Sequence, residues 1–324
     1  MGKPMRILLT GGCGDLGKVL APRLANRGDD AILLDVTKPN YDLPGTFIEG
    51  SVLERDQLPK WFSGCEIVVH IAAWHGIHEF RKEKDAYDFF DLNIRGTFEV
   101  FEASVRAGVR GLVLISSTSI DEPNTVYGNS KLIAEQIASF YASHHAMPTI
   151  TLRPRAFIPH WNRVVYNDYI EWARWFWKGA VHIDDVAQAI EKSIDFLSFA
   201  KNPGTQNNNV RDAVDTKYGG VKTVRTENLI LTVDGAYEYS DEEFENWDCN
   251  GPGTTFKSHF PEYSKLAIEH GLPIEQRPRK LDISRTTYSI GYEPRYSVRN
   301  LLEELSAFGA AGPSRKFDTA KFKK

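Results

Sequence analysis

The 324-residue chain carries 39 lysines and arginines against 43 aspartates and glutamates, a formal charge of −4. That mild acidity gives no general attraction to nucleic acid or an anionic membrane, and 42% hydrophobic residues suffice for one large α/β domain with or without a smaller lobe. No apolar run approaches the ~18 residues of a membrane span. The start MGKPMR lacks the apolar segment of a secretory signal, and Cys13, Cys65 and Cys249 are odd in number without metal-ligand spacing. A reduced, cytoplasmic protein without a metal is the expectation.

Ile7, Leu8 and Leu9 form an apolar run too short for a helix and suited to a buried parallel strand. It leads into Gly11, Gly14 and Gly17, then into Lys18–Arg27, where Val19, Leu20 and Leu24 share a helical face. Strand, glycine turn and helix are what a dinucleotide's pyrophosphate requires. The first glycine permits the tight turn, the second lets backbone N–H groups reach the phosphates, and the third lets helix and strand pack closely. Asp15 and Leu16, which open the helix, are counted with the glycines as cofactor contacts.

Ala31–Val36 reads as a second strand closing on Asp35, 18 residues after Gly17. A carboxylate there accepts hydrogen bonds from the adenine ribose and repels a 2′-phosphate, so NAD is favoured over NADP; a solvent-facing strand end is the other reading. Phe47–Val52 predicts a third strand and Leu58–Gly64 a helix and turn. Ile67–Ala73 predicts a fourth strand, whose terminal Ala72 and Ala73 are small enough for a cofactor to lie against. Tyr87–Ala107 predicts one long helix, in which Asn93 is an amide that needs a partner if buried. Gly111–Ser117 reads as a fifth strand and Val126–His145 as the next helix. This alternation argues for an α/β fold with a doubly wound parallel sheet, its ligand beyond the strands' carboxyl ends. Residues 1–155 are expected to form that domain, with 180–200 and 225–235 returning to it. Residues 156–179 and 201–308 are expected to form a smaller substrate-binding lobe, and 309–324 a tail.

Tyr127 and Lys131 are four apart at the start of a helix and so share a face. A phenol normally ionises near pH ~10. A neighbouring ammonium, with the positive nicotinamide of NAD⁺, would lower that value and make Tyr127 a general base for a substrate hydroxyl. Taken alone, the pair could equally be surface residues of a helix.

The glycine turn, His70-Ile71-Ala72-Ala73, Asn93-Ile94-Arg95-Gly96-Thr97, Ser116-Ser117-Thr118 and Tyr127-Gly128-Asn129-Ser130-Lys131 come in a definite order. Leu152-Arg153-Pro154, Val181–Val186 and Ile290–Tyr296 follow. In these motifs the chain resembles the extended short-chain dehydrogenases/reductases, the NAD-dependent epimerase/dehydratase family, over residues 5–200 and 281–305. The resemblance implies a Rossmann fold binding NAD, with Asn93, Ser116 and Pro154 also beside the cofactor and Lys131 holding the nicotinamide ribose. It implies a hydroxyl at the fifth strand's end to orient the substrate: Thr118, with Ser117 and Ser119 as alternatives. It also implies a homodimer paired through Tyr87–Ala107 and Val126–His145.

The departures matter as much. From Thr118 to Tyr127 is nine positions, far fewer than the family's usual connector, and Ser51 stands where an aspartate is common. Asp121-Glu122 is faintly similar to the Asp-Glu pair of sugar-nucleotide dehydratases, displaced by two positions, and reads as a turn before Pro123. The interval between Arg153-Pro154 and His182 is too short for the usual nucleotide-gripping segment. It is crowded with Trp161, Trp172, Trp175 and Trp177, either a wall for a small polyhydroxylated ligand or the lobe's own core.

Its polar groups are Arg155, His160, Asn162 and Arg163. Arg163 falls near the place where uronate dehydrogenases carry an arginine for the sugar carboxylate, a pairing that favours guanidinium. Arg155, Asn162 and Arg163 are therefore expected at the substrate, together with Trp74 and His75; His78 lies just beyond them, and His75 could also be a surface-loop residue. His182 reads as scaffold rather than metal ligand. Lys201–Lys222 is expected to be a loop or cover, Leu229–Val233 a sixth strand, Glu262–Gly271 and Ser297–Phe308 helices, and Phe317–Lys324 a basic tail.

The reading that results is an NAD-dependent oxidoreductase acting on a secondary hydroxyl or hemiacetal of a small sugar-like substrate. A redox-neutral nucleotide-sugar epimerase and an NAD-binding protein without catalysis are the alternatives.

Overall fold

The computed structural model describes residues 4–39, 41–122, 124–199 and 227–314. β1 (Arg6–Thr10) leads to α1 (Asp15–Asn26), β2 (Asp30–Asp35), β3 (Thr46–Glu49), α2 (Leu58–Phe62) and β4 (Ile67–His70). Then come α3 (Gly76–Phe80), α4 (Ala86–Phe89), a π-helical turn (Phe90–Arg95), α5 (Gly96–Ala107) and β5 (Gly111–Ile115). A 3₁₀ turn (Thr118–Asp121), α6 (Val126–His144), β6 (Thr149–Pro154), α7 (Tyr169–Trp177), α8 (Ile183–Phe199) and β7 (Asn228–Val233) follow. The chain continues through α9 (Asp241–Glu245), α10 (Thr254–His259), α11 (Ser264–Glu269), α12 (Ser284–Ile290) and α13 (Val298–Phe308).

The strands form a seven-stranded sheet in the order β3-β2-β1-β4-β5-β6-β7. The pairings from β3 through β6 are parallel. Leu8 of β1 lies level with Ile32 of β2 on one side and Val68 of β4 on the other. The sheet thus grows outward in both directions from β1, and a crevice opens past the strand ends at such a switch point.

One expectation needs correction. β6 was not foreseen, because Thr149 and Thr151 break up the apolar run that marks a buried strand; Leu229–Val233 is therefore the seventh strand. The helix expected over Tyr87–Ala107 is continuous but contains a π-helical turn around Asn93.

The chain divides into two units, Met1–Arg153 with Ala189–Leu231, and Pro154–Gln188 with Thr232–Lys324. In the first, Leu8, Ile32, Val68, Leu112, Phe62 and Phe101 pack together. The second is built on Tyr169, Trp172, Phe176, Trp177, Phe256 and Phe260, with Leu301, Leu302 and Leu305 of α13. Trp161, Trp172 and Trp177 are at most 3% exposed. Trp172 and Trp177 belong to the lobe's core, and Trp175 packs against it partly buried. Residues 180–188, expected to return to the sheet, group with the second unit. Gly309–Ala311, expected in the tail, forms a 3₁₀ turn, with Gly312 set against the Tyr169 ring. Lys201–Lys222 and Phe317–Lys324 lie outside the described residues.

One buried imidazole ties β1, β4 and α5 together. His70 Nδ1 lies 2.7 Å from Thr10 Oγ1 and Nε2 3.0 Å from Thr97 Oγ1. The Thr97 hydroxyl donates to the Asn93 carbonyl at 2.6 Å, so Nε2 is the protonated nitrogen and the ring is neutral. Burial, with the Lys131 charge, lowers its pKa from 6.5 to about 3. A pKa depressed by folding contributes stability that is full above the unfolded value and lost as pH falls below it. Between pH 7 and pH 5 His70 should cost about 2 kcal/mol of stability by this linkage. Urea midpoints measured at the two values check this, with a smaller pH difference expected for His70→Gln.

Candidate active site

The glycine turn is shaped by contact as well as by conformation. Gly11 has φ +66°, and a Cβ there would lie 3.0 Å from the Ala72 backbone. A Cβ on Gly17 would come within 2.1 Å of the Gly12 carbonyl oxygen, so α1 crosses the turn at a distance that only hydrogen permits. Gly12, which the motif reading passed over, is equally constrained: its Cβ would lie 2.9 Å from the Leu33 Cα. The doubled glycine was the available signal. At Gly14 an added Cβ would meet only the Gly11 carbonyl, at 3.3 Å.

Gly14 is also the N-cap of α1 and has no side chain to cap the first-turn amides of Asp15, Leu16 and Gly17. An anionic pyrophosphate fits this cradle by size and by the sign of the helix field. Asp35, half-buried at the end of β2, accepts the Cys13 N–H at 2.9 Å and the Thr37 N–H at 3.0 Å. Its carboxylate is thereby fixed beside the turn. Ala72 packs behind Gly11, and its N–H donates to the Thr10 carbonyl at 3.1 Å; Ala73 is half-buried next to it.

Past the end of β5, three successive residues engage one face of α6. The Ile115 carbonyl accepts Lys131 Nζ at 2.8 Å. Ser116 donates to Glu135 Oε1 at 2.5 Å, and Arg153 grips the same carboxylate at 2.8 and 2.5 Å. The Ser117 hydroxyl acts on the Tyr127 phenol, working to lower its pKa. Thr118 opens the 3₁₀ turn half-buried, and the Ser117 hydroxyl caps that turn by accepting the Ser119 N–H at 3.0 Å. Of the candidate hydroxyls Thr118, Ser117 and Ser119, Ser117 is the one that acts on the phenol. Ser116, expected at the cofactor, turns its hydroxyl to Glu135.

Lys131 Nζ lies 5.9 Å from the Tyr127 ring centroid. Burial lowers the Lys131 pKa to about 8, opposed by the Glu135 charge. Burial raises the Tyr127 phenol above its usual value, opposed by the Ser117 hydrogen bond. In the protein alone desolvation sets the direction, whereas the lowering expected from the sequence invokes the nicotinamide charge as well.

Asn93, 1% exposed, meets the requirement set by its burial. It accepts the Trp74 N–H at 2.7 Å and donates to the Trp74 carbonyl at 3.0 Å and to Ser130 Oγ at 2.9 Å. Lys84 Nζ sits 4.4 Å from the Trp74 ring. His75, exposed on its surface, is the N-cap of α3 and lies 6.2 Å from His78, which pairs with Glu83 at 2.8 Å.

The remaining expected residues belong to the second unit. Pro154 ends β6, buried. Arg155, 8% exposed, pairs with Asp234 at 3.5 Å and donates to Tyr237 and to the Arg279 carbonyl. Its guanidinium is committed to that internal cluster, which corrects the substrate role expected of it. Asn162 closes a turn by accepting the Val164 N–H at 3.2 Å. Arg163 donates to the carbonyls of Asn167 at 3.2 Å and Ala311 at 3.5 Å. His182 stacks on Tyr296 with centroids 4.0 Å apart, in keeping with a scaffold role.

Residues 7–161 match the model of the NAD dependent epimerase/dehydratase family. The match covers a little under half of the chain. The family so matched is described as NAD dependent. The chain is 28% identical over 165 residues to uronate dehydrogenase of Pseudomonas putida, covering 46% of this chain and 59% of the relative. It is 31% identical over 178 residues to UDP-glucose 4-epimerase of Erwinia amylovora, covering 46% and 52%. The chain thus spans little more than half the length of these curated relatives. Its fold is similar to that of MoeE5 in complex with UDP-glucuronic acid and NAD, with TM-score 0.63 at 18% identity, covering 92% of this chain and 96% of that one. Among the described residues no helix is long and apolar enough to cross a membrane.

The close approach at Gly17 gives a direct expectation. Gly17→Ala forces α1 off the turn and weakens NAD binding by about tenfold or more, the scale of ~1.4 kcal/mol. Tryptophan-fluorescence titration with NAD measures it.

Proposed function

We propose that the protein oxidises a secondary hydroxyl or hemiacetal of a small sugar-like substrate, with Tyr127 as the general base. The observation that carries this reading is the grouping of Ser117, Tyr127 and Lys131 at the end of β5. NAD, when bound, supplies the acceptor for the hydride that leaves the carbinol carbon. Tyr127 Oη takes the proton from the substrate hydroxyl, and the carbon–oxygen bond becomes a carbonyl. Ser117, which acts on the phenol, orients the substrate oxygen. The Lys131 ammonium, held toward the Ile115 carbonyl, favours the phenolate that Tyr127 must form.

In this proposal Gly11, Gly14, Asp15, Leu16 and Gly17 hold the pyrophosphate and Asp35 the adenine ribose. Ala72, Ala73, Asn93 and Pro154 line the cofactor, with Lys131 on the nicotinamide ribose. Trp74 and His75 meet the substrate. From the resemblance, Arg163 and Asn162 are the candidates for a sugar carboxylate. Subunits pair through α5 and α6, where Phe98 and Phe140 are 41% and 53% exposed.

A free uronate is the favoured substrate class, supported by the similarity to uronate dehydrogenase and by the short interval after Pro154. The similarity to UDP-glucose 4-epimerase supports a second reading, in which the same half-reaction is followed by hydride return to the sugar. Absorbance near ~340 nm separates them: galacturonate or glucuronate with NAD yields net NADH under the first reading, whereas UDP-sugars are interconverted without it under the second. Under either reading Tyr127→Phe keeps NAD affinity and loses turnover by about a hundredfold or more.

Substituting the two neighbouring hydroxyls separates their roles. Ser117→Ala should lower kcat by about tenfold or more. Thr118→Ala should change it by less than about threefold, since Ser117 is the hydroxyl that acts on the phenol. Steady-state kinetics on the same substrates decides between them.

A further inference from the structure

The connector from Thr118 to Tyr127 is only nine positions long, and the first turn of α6 is held from elsewhere. Glu79, on α3, accepts the Val126 N–H on Oε1 and the Tyr127 N–H on Oε2, both at 2.8 Å. Thr125 takes the Gly128 N–H at 3.0 Å, so the first three amides of the helix are all engaged by side chains. The same turn of α3 bears on the tyrosine ring: a Cβ on Gly76 would lie 3.1 Å from Tyr127 Cδ1. The Tyr127 carbonyl accepts the Ser130 hydroxyl at 2.7 Å, Ser130 accepts from Asn93, and Asn93 holds both backbone groups of Trp74. The segment from Trp74 to Glu79 is therefore fastened to Tyr127 at both of its ends.

We propose that Glu79 is a positioning residue for Tyr127. Its carboxylate grips two consecutive amides and sets the depth and rotation at which the phenol is presented. It does from α3 what a longer connector would otherwise do, and it makes the loop carrying Trp74 and His75 move with the phenol as one piece. A carboxylate suits the task because charge-assisted hydrogen bonds are strong and the positive end of the helix field favours an anion there. The inference rests on the reading of Tyr127 as the base, and a rotation of the phenol by even a fraction of an ångström matters to a proton transfer.

The test compares Glu79→Ala and the isosteric Glu79→Gln with the wild type. Amide exchange at Val126 and Tyr127, the ¹³Cζ resonance of labelled Tyr127, NAD affinity, and kcat with galacturonate and NAD are the readouts. In Glu79→Ala, exchange at the two amides should quicken by about tenfold or more, the Tyr127 resonance should shift, and kcat should fall by about tenfold or more. NAD affinity should stay within about twofold. Glu79→Gln, with one acceptor oxygen left, should restore part of kcat.

Unchanged exchange and resonance in Glu79→Ala overturn the proposal, as does an unchanged kcat. A loss of NAD affinity and of amide protection throughout the chain, in step with kcat, also overturns it by showing a merely structural role. If the wild type turns over neither galacturonate nor a UDP-sugar, the proposed reaction fails, while the exchange and resonance measurements still decide the role of Glu79.

Discussion

Two buried polar side chains, the imidazole of His70 and the amide of Asn93, must both find partners, and the rest of the site follows from how they do. A buried donor or acceptor left unmade costs about 1–3 kcal/mol, so the partners are effectively compulsory. Thr10 at the end of β1 meets His70, His70 meets Thr97, Thr97 meets the Asn93 carbonyl, and the Asn93 side chain meets Trp74 and Ser130. Ser130 then closes on the carbonyl of Tyr127. One continuous chain of hydrogen bonds thus runs from the strand that feeds the glycine turn to the tyrosine on α6. The Thr97 bond is the ordinary hydroxyl bond to the carbonyl four residues back, and the Asn93 that accepts it lies in the π-helical turn.

Along the same helix the charges are arranged to tolerate burial. Lys131 is 6% exposed, and an isolated ammonium there would give up its proton. Its Nζ has the Ile115 carbonyl as a direct acceptor, and Glu135, one turn further on, adds an attractive charge. Glu135 is itself held by Arg153 and Ser116, so neither carboxylate nor ammonium is left uncompensated. The pKa of about 8 keeps Lys131 charged at neutral pH. The contacts of Ile115 with Lys131 and of Ser116 with Glu135 fix the strand end to the helix.

The cofactor half was legible because its signals are local. Short apolar runs ending in glycine or a carboxylate announce strands, and Gly11, Gly14, Gly17 and Asp35 stand at spacings set by the chemistry of a dinucleotide. What was illegible depends on direction or on distant pairing. Motif order points to Thr118, whereas Ser117, one position earlier, is the hydroxyl that acts on the phenol. β6 hides behind its threonines, whose hydroxyls weaken the apolar pattern although both are buried. Glu79 lies 48 positions from Tyr127 and gives no local sign, since a helix cap contributed by another helix has no sequence spacing at all.

Arg155 makes the same point from the second unit. It follows the Arg153-Pro154 motif and has the chemistry to hold a carboxylate, and it does hold one: that of Asp234. Asp234 is 1% exposed and also accepts the N–H groups of Leu281 and Gly235 and the Tyr237 hydroxyl. Burial raises its pKa, and the Arg155 charge works against that rise. The Arg155 N–H meanwhile donates to the Val233 carbonyl, so backbone and side chain together bind the residues that follow β6 to those that end β7. Removing either partner would strand a buried charge, which is far more damaging than losing a surface contact. A guanidinium with that duty cannot also turn to a substrate, whereas the acceptors of Arg163 are two neutral carbonyls. Composition names both arginines as candidates; the acceptors already in place separate them.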